Sequence, residues 1–113
     1  MINPFFSKKN NIYLNDIVKI LKLKKLKKNY KINDIKELGF AKKSDITFLH
    51  SARYLPLLSS TKARIIITNE KFIRHIPNKF EIINVQNVLL SVSKIALLFY
   101  PNSLDDLFDL EVN

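Results

Sequence analysis

Asp45-Ile46-Thr47-Phe48-Leu49-His50-Ser51-Ala52-Arg53-Tyr54, followed by Leu57, Leu58, Thr61, Ala63 and Ile65-Ile66-Ile67, is the stretch that decides the fold. Ile46 and Phe48 alternate with polar neighbours at the two-residue period of a strand, expected over Ile46 to Leu49. Ser51 is a good helix N-cap, because its hydroxyl can accept from a backbone N–H that a helix start leaves unpaired. Tyr54 then falls in the first turn, and Phe48 and Tyr54 flank a strand-to-helix corner. Pro56 has no N–H to give the carbonyl four residues back, so the helix should be short or bent, with Leu57 and Leu58 packing it on the sheet. Three consecutive isoleucines within Arg64 to Thr68 imply a strand buried on both faces.

Upstream, Ile17, Ile20 and Leu21 share the face of a short helix that opens at Leu14 or Asn15 and loses its period near Leu23. Lys24 to Asn29 reads as a solvated turn, because like charges repel and the lone Leu26 cannot build a core face. Tyr30 to Ile35 nearly alternates and is expected as a strand. A loop carrying the sole glycine, Gly39, follows. Downstream, Asn69 can cap a turn around Glu70 to Phe72, Phe80 to Val85 reads as a further strand, and Val88, Val92, Ile95, Ala96 and Phe99 line one face of a helix ending before Pro101. The expected fold class is α/β, a small sandwich with a central mixed sheet flanked by short helices.

At 113 residues and 47% apolar composition the chain is one domain with room for a core. No apolar run reaches the roughly 20 residues a bilayer requires, and Met1 to Phe6 lacks the pattern of a signal peptide. Zero cysteines exclude disulfides, thiolate metal sites and a cysteine nucleophile, and fit a cytoplasmic setting. The net charge of +9 sits almost wholly in residues 1–43, which hold 12 lysines against Asp16, Asp34 and Glu37. Lysine, isoleucine and asparagine are used heavily together, as an AT-rich genome would use them at solvated positions. The functional alternative is a basic face for the diphosphate of a nucleotide sugar, an acidic carrier protein or an anionic leaflet. Specific nucleic-acid recognition is not expected, since there is no arginine-rich arm, aromatic ladder or zinc-finger spacing.

The succession of strand, Phe48, Ser51, Tyr54 and then Thr61-Lys62-Ala63-Arg64 into an isoleucine strand resembles the N-terminal uridine-binding domain of the UDP-3-O-(3-hydroxyacyl)glucosamine N-acyltransferases of lipid A biosynthesis. The resemblance covers roughly residues 12 to 101. It implies an N-terminal extension over 1–11, a uridine-binding-like domain over 12–103 and an acidic tail or linker over 104–113. It also implies a fold like that of Mur ligase N-terminal domains. In such enzymes two aromatics hold a uracil between them, which assigns that role to Phe48 and Tyr54, with Ser51 where an asparagine is common and Ser44 where glycine is favoured. The implied substrate is UDP-acylglucosamine. The family's catalytic histidine, its encounter with acyl carrier protein and its trimerisation belong to a left-handed β-helix, for which this sequence has no hexapeptide period.

The resemblance therefore implies a non-catalytic recognition domain, monomeric by itself, with no cofactor, no metal and no catalytic residue of its own. The residues agree. His50 and His75 are the only histidines, neither stands in a triad order or a metal-ligand spacing, and a glycine-poor chain has no P-loop or dinucleotide loop. His50, just past the strand end, is a possible ligand contact. Alternatives are the UDP-binding N-terminal domain of a Mur ligase, and a basic module for nucleic acid or anionic lipid.

Overall fold

Three parallel strands, β1 (Ile46–Phe48), β2 (Ile65–Thr68) and β3 (Glu81–Asn84), form a sheet in the order β1-β2-β3. The computed structural model describes residues 8–101, so most of the expected N-terminal extension and the acidic tail lie outside the described residues. β2 is central and every residue of it is buried, as the isoleucine run requires. Parallel neighbours need crossovers, and with strands in chain order both crossovers fall on one face. They are a 3₁₀ helix, Ala52–Ser59, between β1 and β2, and a single helical turn, α2 (Glu70–Ile73), between β2 and β3. Two α-helices, α1 (Leu14–Ile20) and α3 (Val88–Phe99), contribute to the core on the other face.

The sheet divides two apolar clusters. Ile46, Ile65, Ile67 and Ile83 pack with Leu14, Ile17 and Val18 of α1 and with Val88, Ile95 and Phe99 of α3. On the crossover side Ile66 and Leu49 pack with Leu38, Leu58, Phe72, Ile76 and Phe80. The face of α3 differs in detail from the expectation. Ser91 is buried, whereas Val92 and Ala96 are half-buried.

The α/β class and its short flanking helices are as expected, but the three strands all run parallel. An antiparallel relation is confined, among the described residues, to the isolated bridge Tyr13–Lys31. The strand expected over Tyr30 to Ile35 is instead an extended connection, joined to β1 by the parallel bridge Ile35–Ile46. The reason lies in Asp34. Its carboxylate accepts from the Ile35 N–H at 2.8 Å, a local bond that competes with ladder formation. The same carboxylate accepts from the Tyr100 hydroxyl at 2.9 Å, tying the end of α3 to this connection. Burial, the bond to Asp34 and the charges of Asp34 and Asp45 push the Tyr100 phenol up to about 12.

α1 closes with Lys22 in the left-handed region at φ 59°. The N–H groups of Lys22 and Leu23 donate back to the carbonyls of Lys19 and Val18, both at 3.0 Å, the bonding of a Schellman end. The lysine-rich turn that follows is exposed, except that Leu26 is half-buried against the larger cluster, contrary to the solvated reading. Among the described residues no helix is long and apolar enough to cross a membrane.

Candidate functional site

The corner after β1 is pinned from both sides. The Leu49 N–H donates to the Ile67 carbonyl at 2.9 Å, and the buried Thr68 hydroxyl donates to the Leu49 carbonyl at 2.9 Å. Phe48 and His50, on either side of Leu49, are thereby fixed by the end of β2. Ser51 then begins the 3₁₀ helix as its N-cap, its hydroxyl accepting from the Arg53 N–H at 3.4 Å. Missing its N–H, Pro56 denies an α-helix one bond, and the segment takes the tighter i to i+3 pattern over eight residues, longer than such helices usually run. Leu58 is buried in the smaller cluster. Leu57, expected beside it on the sheet, is 37% exposed and turns elsewhere.

That direction is a cleft of about 110 Å³ lined by Phe48, His50, Tyr54 and Leu57 on one side and by Glu37 to Phe40 on the other. The three aromatic residues form a row. The His50 ring lies 6.0 Å from Phe48, tilted 31°, and 5.3 Å from Tyr54, tilted 44°. The Arg53 guanidinium sits 5.5 Å from the Tyr54 ring centre, within cation–π range. Phe48 and Tyr54 are half-buried, each resting against a different cluster, so the cleft straddles the sheet end where the two cores meet.

Of the residues singled out from sequence, Phe48, His50 and Tyr54 converge on the cleft. Ser51 is half-buried and does not line it; its hydroxyl is engaged at the helix start. His75 is exposed after α2, remote in chain and in lining from the cleft. The loop wall was not foreseen. Leu38, 3% exposed, anchors that loop in the smaller cluster, and the Phe40 and Ala41 N–H groups turn it back onto the Glu37 carbonyl at 3.0 and 2.9 Å. Phe40 is left 75% exposed at the rim. Two large apolar residues flanking the sole glycine in a lysine-rich stretch were the available signal.

Chemically the arrangement offers ring faces, one exposed carboxylate, one imidazole and one phenol. Among the described residues no group of three or more His, Cys, Asp or Glu side chains is placed to hold a metal ion. Comparison with curated proteins finds none that matches this chain. Comparison with protein families matches residues 29–98 to UDP-3-O-(3-hydroxymyristoyl) glucosamine N-acyltransferase, LpxD. The matched span takes in all three strands, the 3₁₀ helix and every residue that lines the cleft. With well over half of its length inside that match, the chain belongs to the LpxD family, the acyltransferases of lipid A biosynthesis.

Proposed function

We propose that this chain is a uridine-recognition domain that holds the uracil of UDP-acylglucosamine in the aromatic cleft and supplies no group to acyl transfer. The observation that carries the reading is the convergence of Phe48, His50 and Tyr54 around one small space at the end of β1. An engineered apolar cavity of about 150 Å³ holds a benzene. A cleft of about 110 Å³ opening to solvent therefore suits one flat pyrimidine ring, with the rest of the ligand outside. Base-on-aromatic stacking supplies about 1–3 kcal/mol per base, a sufficient anchor for a substrate that must leave after reaction.

In this reading Phe48 and Tyr54 supply ring faces, His50 between them offers ring nitrogens to the edge of the base, and Ser51 acts at one remove by holding the turn that carries Tyr54. Acyl carrier protein meets the catalytic part of the enzyme rather than this domain, and the domain alone is a monomer. Titration with UMP, followed by NMR on aromatic side chains, tests the reading. Saturable binding that shifts Phe48, His50 and Tyr54 is expected, with no N-acylation by the chain alone. Shifts centred on Lys22 to Lys28, or binding of a DNA duplex with a steep salt slope in place of UMP, would favour a basic module instead.

A further inference from the structure

All three strands run parallel, so their entry ends share one edge of the sheet, opposite the aromatic cleft, and that edge gathers cations from distant parts of the chain. Five of the seven residues from Lys22 to Lys28 are lysines, all exposed, and no acidic residue occurs between Asp16 and Asp34. This turn is held in place by the fold. Leu26 rests on the larger cluster, the Asn29 amide oxygen accepts from the Asn15 N–H at 3.0 Å, and the Tyr30 carbonyl accepts from the Leu14 N–H at 2.7 Å. The Arg64 guanidinium, just before β2, sits 5.0 Å from the centre of the Tyr30 ring, and the Arg64 carbonyl accepts from the Glu81 N–H at 2.8 Å, where β3 begins. Lys28, Arg64 and Lys79 thereby line one hollow of about 370 Å³, with half-buried Glu81 the one carboxylate among its lining residues. The turn carries the charge on to a second hollow of about 390 Å³, lined by Lys19, Lys25, Leu23 and Asp16, whose carboxylate already accepts from the Tyr13 N–H. Among the described residues the sole ion pair joins Lys36 to Asp34, so none of these cations is neutralised within the fold.

We propose that this basic end docks the domain on a bilayer surface that carries anionic lipid, with headgroup phosphates meeting the cations and Leu23 reaching the interface. A compositional excess of lysine scatters charge, whereas here the topology collects it from the turn, from the entry of β2 and from the entry of β3. Lysine acts as a point charge without a fixed partner geometry, which suits a fluid array of headgroups. Leu23, 38% exposed among lysines, is useful at a lipid interface and idle against a phosphate backbone. A single-stranded nucleic acid would need open ring faces, but Tyr30 is half-buried under Arg64 and Phe80 is buried, with Lys79 at 5.2 Å. The ligand proposed for the cleft carries an acyl chain, which favours a bilayer; this support alone rests on the proposed function. Docking by the strand-entry end leaves the cleft, a strand length of about 13 Å away, facing its ligand.

Flotation with vesicles of phosphatidylcholine alone, and of phosphatidylcholine mixed with phosphatidylglycerol, tests the proposal. The proteins are the wild-type chain, the double variant Lys25→Gln with Lys28→Gln, Arg64→Gln and, as a control at the strand-exit end, Lys71→Gln. All four side chains are exposed, so the variants should fold, as circular dichroism would verify. Wild type should float with the anionic vesicles alone, and less as salt rises. Arg64→Gln should bind them about fivefold more weakly, the worth of one cation near a charged leaflet, and the double variant more weakly still, while Lys71→Gln matches wild type. Equal flotation with both kinds of vesicle, flotation with neither, or a loss in Lys71→Gln as large as in Arg64→Gln would overturn the proposal. So would binding of a DNA duplex or of polyglutamate by a wild-type chain that ignores the vesicles, since the surface would then serve another polyanion. UMP affinity is a separate readout and should be the same in every variant. A wild-type chain that floats but does not bind UMP would overturn the uracil reading and leave the bilayer surface standing.

Discussion

The two faces of the sheet are built to different standards. On one, α1 and α3 bring whole helical stripes against Ile46, Ile65, Ile67 and Ile83, and the residues they contribute are almost completely buried. On the other, a proline-interrupted 3₁₀ helix and one turn of α2 supply isolated anchors such as Leu58 and Phe72, and leave Leu57, Phe40 and His50 partly or largely exposed. The difference teaches that the cleft opens where helical packing gives way to short segments, at the meeting point of the two clusters. Burial assigns stability mainly to the first face, and the recognition proposed here belongs to the end of the second.

The strongest way to break this comparison is to cut into the helical face. Phe99→Ala should cost about 3–5 kcal/mol, the range for a buried phenylalanine, and thermal or urea unfolding would measure it. A cost under 1 kcal/mol would mean that the face is not the main source of stability. Tyr100→Phe comes next. Removing the hydroxyl that donates to buried Asp34 should cost about 1.5–3 kcal/mol, the worth of a hydrogen bond to a charged group. Because the folded phenol titrates above its ordinary value of 10.0, its contribution is complete below pH 10 and is lost as pH rises toward about 12. Wild-type stability should therefore fall across that window through this group, and Tyr100→Phe should flatten the fall.

On the other face the effects should appear in binding before stability. Tyr54→Ala should weaken UMP by about 1–3 kcal/mol while unfolding changes little, since Tyr54 only borders its cluster. Phe48→Ala should weaken UMP similarly but also destabilise, because its ring rests on the larger cluster. A folded Tyr54→Ala protein with unchanged UMP affinity would remove the cleft from recognition. The smallest effect should come from Ser51. Ser51→Ala should cost about 1 kcal/mol of stability through the lost cap, and Ser51→Asn, an equivalent cap, close to none. A marked gain in UMP affinity for Ser51→Asn, absent for CMP, would show that position 51 reaches the base edge after all.

The elements with the strongest patterns were legible. The isoleucine run of β2, the cap at Ser51, the disturbance by Pro56 and the apolar stripe of α3 each express a rule that acts within a few residues. The connection over 30–35 reads as a strand and is none, because alternation in sequence says nothing of where a side chain like Asp34 finds its partners, here the adjacent backbone and a tyrosine 66 positions away. Leu57 and Leu58 are identical in type and adjacent, so only the geometry of the 3₁₀ helix decides which is buried. Spacing placed Phe48 and Tyr54 at a strand-to-helix corner, and the family resemblance alone implied that they share a site. The opposing wall was not, because Leu38 anchors it through contacts made only once the sheet exists.

The bond from the Thr68 hydroxyl to the Leu49 carbonyl spans 19 positions. Parallel strands cannot zip from a hairpin, and contacts so distant in sequence form only after the intervening crossover has been laid down, which makes such pairing a slow event in folding. Before β1 and β2 dock, nothing holds Phe48 and His50 beside Tyr54 at the spacing they have in the cleft. Under the proposed function, ligand capture is a reporter on the clock of assembly: in a refolding experiment the ability to bind a uridine nucleotide should emerge with the β1–β2 ladder and never ahead of it.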